Sequence, residues 1–185
     1  MSVLQCASSA DWNRRIKKAA NKKEVKNMKT VNILFCGTGG QGILTASEIV
    51  GRAAMFDGFH AKKSEVHGMA QRGGSVESHL RFGKEVFSPI IEKAQADFLV
   101  PFHKGEHDRM SDMLKKDGVD LLNEFLQADK DLSDKKYINT YMLGVLSRHL
   151  DLTEESWLKA MTEVFKGKNT EKNFEIFRAA RANNH

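Results

Sequence analysis

The run Val31-Asn32-Ile33-Leu34-Phe35-Cys36 passes without a break into Gly37-Thr38-Gly39-Gly40-Gln41-Gly42. Apolar residues then recur at helical spacing through Ile43, Leu44, Ala46, Ile49, Val50, Ala53 and Ala54. A short, mostly apolar run is what a strand buried on both faces requires. Glycines directly after it allow a tight turn and a close approach of the following helix to the sheet. Asp57-Gly58 closes the helix, and Phe59 to Lys63 predicts a second strand. A strand, a glycine turn, a helix and a second strand make one β–α–β unit, which places the chain in the α/β class.

The pattern then changes. Ser75, Glu77, His79 and Arg81 alternate with Val76, Ser78, Leu80 and Phe82, a period of two that predicts a half-exposed antiparallel strand. His79 and Arg81 are expected on its open face. Gly83-Lys84 predicts a hairpin turn into Glu85-Val86-Phe87, stopped by Ser88-Pro89. Ala96 to Pro101 reads as another buried strand, Lys104 to Lys116 as a helix, and Gly118 to Leu122 as one more short strand. From Asn123 onward the pattern is helical. Leu143, Leu146 and Leu150 form one stripe, and Thr153 caps a helix carrying Trp157, Leu158, Met161, Val164 and Phe165. Asn173 to Arg181 is the last helix. Met110, Met113 and Met142 read as core. The expectation is a Rossmann-like three-layer sandwich: a mostly parallel sheet with an antiparallel hairpin and a helical C-terminal part.

Length and charge narrow the function classes. The chain has 185 residues, enough for one ordinary domain. The net charge of +5 suggests a nucleic-acid partner until it is located. Residues 1–29 carry eight basic side chains against Asp11 and Glu24, which leaves 21 basic and 22 acidic in the remainder. The body is close to neutral, and a basic leader is not a charged binding face. We therefore expect a basic extension over residues 1–28, disordered or weakly helical, ahead of a single domain over 29–185. Met28 lies near the start of the fold. The leader lacks the apolar core of a signal peptide, and no apolar run reaches membrane-spanning length. Cys6 and Cys36 are too few for a disulfide framework, a zinc site or an iron–sulfur cluster. Cys36 reads as a buried small hydrophobe, and a cytoplasmic, reduced protein is expected.

Two stretches carry candidate chemistry. Gly37, Gly39, Gly40, Gln41 and Gly42 satisfy the G-x-G-x-x-G spacing, whose backbone N–H groups can face a phosphate or carboxylate. A dinucleotide fingerprint also wants an acid about 20 residues on, to hold the ribose; Lys62, Lys63 and Ser64 occupy that place. That weakens NAD more than NADP, and close packing of helix on sheet is the alternative use of the glycines. The second stretch, Glu65 to Val76, sets a carboxylate, an imidazole, an amide and a guanidinium among three glycines. Such a segment can hold backbone near another surface while aiming polar groups at it. Its candidate residues are Glu65, His67, Gly68, Gln71, Arg72, Gly73, Gly74 and Ser75. Ser75 has no acid–imidazole pair evident in sequence to make it a nucleophile.

The glycine turn with Leu44-Thr45-Ala46 after it, followed by Glu65-Val66-His67-Gly68-Met69-Ala70-Gln71-Arg72-Gly73-Gly74-Ser75-Val76, resembles the gamma-type subunit of 2-oxoacid:ferredoxin oxidoreductases. The wording of the second stretch is most similar to the beta subunit of the indolepyruvate enzymes. Ser88-Pro89, Ala96-Asp97 and Asn139-Thr140-Tyr141-Met142-Leu143-Gly144 also sit where that family has them. The passage between Val100 and Tyr137 departs from it by being short. The resemblance implies a subunit without cofactor or metal, inactive alone. Thiamine diphosphate, magnesium and 4Fe-4S clusters would belong to a large partner subunit, with coenzyme A as co-substrate and ferredoxin as electron acceptor. It also implies that Glu65, His67, Gln71 and Arg72 face the partner. The alternatives are a free-standing NADP-binding protein and an assembly module without catalytic role.

Overall fold

The structure, a computed structural model, describes residues 29–68 and 73–183. The expected basic extension lies outside the described residues. In chain order the strands are β1 Val31–Thr38, β2 His60–His67, β3 Ser75–Gly83, β4 Ala96–Pro101 and β5 Leu114–Asp120. The helices are α1 Ile43–Phe56, α2 Lys104–Met110, α3 Leu122–Asp131, α4 Ile138–Ser147, α5 Glu154–Phe165 and α6 Thr170–Ala182.

One five-stranded sheet runs in the order β2-β3-β1-β4-β5. β1 pairs in parallel with β4, and β4 with β5, while β3 is antiparallel to both β1 and β2. Four strands therefore point one way and β3 opposes them. The β1–α1–β2 unit exists, but β3 is slotted between its two strands. β2 becomes an edge strand, where Lys62 and Lys63 discourage pairing with another chain.

Alternation along β1 builds the layers, because successive side chains leave opposite faces of a strand. Ile33 and Phe35 enter the larger core with α1, α3, α4, α5 and α6. Leu34 and Cys36 enter a smaller one with Ile91, Leu99 and Met110. The large core closes on Trp157 and Phe177, both fully buried, with ring centroids 5.5 Å apart. Each such side chain contributes about 1.5–3 kcal/mol by leaving water. Leu143, Leu146 and Leu150 are buried there as expected, as is Met142. Asp57, the residue that ends α1, accepts from the Thr153 N–H at 2.6 Å and from the Thr153 and Ser156 hydroxyls at 2.7 Å. The first turn of α5 is thereby fastened to the last turn of α1.

Three sequence expectations need correction. Glu85-Val86-Phe87 is not a strand; the antiparallel pair is β2–β3, from His60↔Gly83 to His67↔Val76. The segment after Gly83 instead lies across the sheet, its Ser88 and Ile90 carbonyls taking hydrogen bonds from the Arg81 guanidinium. His79 is buried at 5% exposure rather than open to solvent, and its Nδ1 accepts from the Ile91 N–H at 3.2 Å. The helix expected over Lys104 to Lys116 stops at Met110, and β5 takes Leu114–Asp120. The period-two signal of β3 was sound, but a polar face does not reveal whether a loop will cover it.

Candidate functional site

The glycine turn lies at the carboxyl end of β1, where open α/β sheets place their ligands. Gln41 folds back so that its Oε1 accepts from the Thr38 N–H at 2.7 Å. Gly42 has φ of 80°, and a Cβ there would fall 2.6 Å from Asn139 Nδ2. Both the left-handed backbone and the close approach of α4 demand glycine at that position. The Gly39 N–H donates to the Gly74 carbonyl at 2.9 Å. This bond joins the turn to the second candidate stretch.

That stretch begins as a strand end and finishes as a strand start. Glu65 and His67 are still in β2, paired with Ser78 and Val76, and Ser75 already opens β3 opposite Thr38. The Gly68 N–H donates to the Ser75 carbonyl at 2.7 Å and closes the base of the connection. Gln71 and Arg72 lie outside the described residues. Glu65 reaches Lys63 at 2.9 Å and His67 at 3.6 Å, on the face that carries α1. Ser75 projects to the opposite face. The structure thus joins Gly39, Gly68, Gly74 and Ser75 through backbone, and separates the side chains of Glu65 and His67 from that of Ser75.

On the Ser75 face stands a charged cluster that the sequence reading missed. Ser75 Oγ donates to Glu106 Oε2 at 2.7 Å and accepts from Arg109 Nη2. The two N–H bonds of Arg109 Nη2 are shared among this hydroxyl and Glu77 Oε1 and Glu106 Oε2, each carboxylate oxygen 2.7 Å away, and Arg109 Nε donates to Glu106 Oε2 at 3.0 Å. Burial works to raise the Glu106 pKa, but hydrogen bonds from Ser75 and Arg109 outweigh it and hold the carboxyl below its usual value. Glu106 and Arg109 are one turn apart on α2, a spacing visible in sequence; their target on β3 is not. Ser75 is thus held by an ion pair rather than activated by an acid–imidazole relay. Beneath the cluster, burial above all, with help from Glu106, pushes the Cys36 thiol up to about 12. It stays protonated and packs as an apolar group.

The dinucleotide alternative fits poorly. The Thr38 and Gly39 amides of the turn are already spent on Gln41 and Gly74. The lysines that would meet a ribose phosphate are spent too. Lys63 pairs with Glu48 and Glu65 at 2.9 Å, and Lys62 donates to the Phe87 carbonyl at 3.1 Å. Because β3 separates β2 from β1, β2 sits at the sheet edge, one strand removed from the turn.

Comparison with known proteins decides the family. The model of the pyruvate ferredoxin/flavodoxin oxidoreductase family matches residues 32–183. The chain belongs to that family. Pyruvate synthase subunit PorC of Methanothermobacter thermautotrophicus is 32% identical over 171 residues, covering 81% of this chain and 93% of that protein. Indolepyruvate oxidoreductase subunit IorB of Thermococcus kodakarensis is 43% identical over 96 residues, covering 52% of this chain and 48% of that protein. The chain therefore spans about half the length of the indolepyruvate relatives it matches. Among solved structures, a keto/oxoacid ferredoxin oxidoreductase gamma subunit from Geobacter sulfurreducens superposes with a TM-score of 0.62 at 24% identity, over 82% of this chain and 98% of that one. That likeness carries the fold.

Proposed function

We propose that residues 29–185 act as one gamma-type subunit of a 2-oxoacid:ferredoxin oxidoreductase, a cytoplasmic enzyme of several chains. The complex would decarboxylate a 2-oxoacid such as indolepyruvate, transfer the acyl group to coenzyme A and pass the electrons to ferredoxin. Thiamine diphosphate, magnesium and 4Fe-4S clusters belong to a large partner subunit in this reading. This chain supplies a surface: the glycine turn and the 68–74 connection, with Glu65, His67, Gln71 and Arg72 around it, face the partner beside its active site. The observation that supports the reading is the Gly39 N–H to Gly74 carbonyl bond of 2.9 Å, which brings the glycine turn and the start of β3 together. Arg72 in such a surface would engage a phosphate or carboxylate through its planar fork. Weighing against a free-standing NADP enzyme are the occupied turn amides and paired lysines.

Reconstitution tests it. The chain should co-purify with a partner holding thiamine diphosphate and iron–sulfur clusters, and the complex should reduce ferredoxin or viologen with a 2-oxoacid and coenzyme A. A panel of 2-oxoacids would identify the substrate. Tight NADPH binding by the isolated chain in calorimetry, with no such partner, would overturn the proposal.

A further inference from the structure

We infer that Arg109 is a positioning residue: together with Glu106 it clamps Ser75, and through Ser75 it sets the glycine turn, the end of β2 at Gly68 and the start of β3 at Gly74 relative to one another. The role deepens the partner-facing reading of that surface and rests on it.

Ser75 is the junction of three attachments. Its carbonyl accepts from the Gly68 N–H at 2.7 Å, and its neighbour Gly74 offers its carbonyl to the Gly39 N–H at 2.9 Å. Its hydroxyl is gripped from α2, donating to Glu106 at 2.7 Å and accepting from Arg109. A second hold lies two residues along β3, where Glu77 takes Arg109 Nη2 at 2.7 Å. Glu77 and Glu106 side chains are only 14% and 17% exposed, whereas that of Arg109 is 46% exposed. Two carboxylates largely out of water would repel each other without the guanidinium between them, so removing it does more than delete one contact. Lysine, a point charge on a flexible stem, lacks the second nitrogen with which Arg109 holds Glu106, whose Oε2 also accepts from Arg109 Nε at 3.0 Å, so it cannot fix the side chain in the same plane. The clamp also comes from the short passage between Val100 and Tyr137, the part of the sequence that departs most from the resemblance.

The experiment follows amide exchange at Gly39 and Gly68 in the full chain, then partner affinity and turnover in the reconstituted complex. In R109A both amides should exchange about tenfold faster or more, as befits loss of a charge-assisted hydrogen bond. R109K and E106Q should give smaller increases in the same two amides, and they carry the test if R109A fails to fold. K104A removes the exposed pair between Lys104 and Asp108 on the same helix and should leave both amides unchanged. If R109A and E106Q exchange like K104A at Gly39 and Gly68, the clamp is refuted. Where the amides do loosen, partner affinity should weaken about tenfold. Loosened amides with unaltered affinity and turnover would uphold the clamp and sink the partner-facing reading instead.

Discussion

Gly144 lies inside α4, where replacing glycine by alanine ordinarily stabilises a helix by about 1 kcal/mol. Here the sign should reverse. A Cβ at Gly144 would fall 2.4 Å from the Phe177 carbonyl oxygen and 2.7 Å from the Ala180 Cβ of α6. Carbon atoms ordinarily meet at about 3.5–4.0 Å, so α4 and α6 must separate by about 1 Å. The nearest obstacle is backbone, which cannot rotate away. Phe177 and Ala180 are fully buried, and Phe177 leans on Trp157, so displacement of α6 disturbs the centre of the large core. Overpacking of this kind costs about 1–3 kcal/mol, and its upper end applies where backbone must shift. After the helix-propensity gain, Gly144→Ala should lose about 1–2 kcal/mol. At about 2–4 °C per kcal/mol for a domain of this size, Tm falls by about 2–8 °C in a thermal melt followed by circular dichroism. Gly144→Val should fall further. An unchanged or raised Tm in Gly144→Ala would show that the helices do not approach this closely.

Asp57→Ala removes the acceptor of three hydrogen bonds that seat α5; urea titration should show a loss of about 1–2 kcal/mol, the usual worth of a helix cap. Burial, opposed by Glu77, lowers the His79 pKa from 6.5. Below pH 6.5 the unfolded chain therefore binds a proton that the folded chain resists. Stability from this group is complete above 6.5 and is lost as pH falls toward the depressed value. His79→Gln should flatten that part of a stability–pH curve, and an unchanged slope would exclude His79 as its source. With its thiol pushed up to about 12 and its side chain fully buried, Cys36 in a Cys6→Ser background should react with a thiol reagent only at the rate of unfolding. Rapid labelling of the folded chain would contradict that burial.

Local order in this protein is written locally. The strand at Val31, the glycine turn and the helix after it follow from apolar run, backbone freedom and 3.6-residue spacing, all carried by neighbours in sequence. So do the cap at Thr153, the Leu143 stripe and the burial of Cys36. The family, too, was legible in the wording of Gly37–Gly42 and Glu65–Val76. Tertiary structure alone decided that β3 enters between β1 and β2, because strand order depends on which edges pair across long loops rather than on any one segment's pattern. The same pairing turned Ser75 and Glu65 to opposite faces, the segment through Ile91 covered His79, and α2 brought Arg109 to Ser75 across 34 residues of chain. Contacts between charged groups on separate elements leave no periodic trace in either element. For that reason the two stretches could be recognised from sequence, and the clamp that holds them could not.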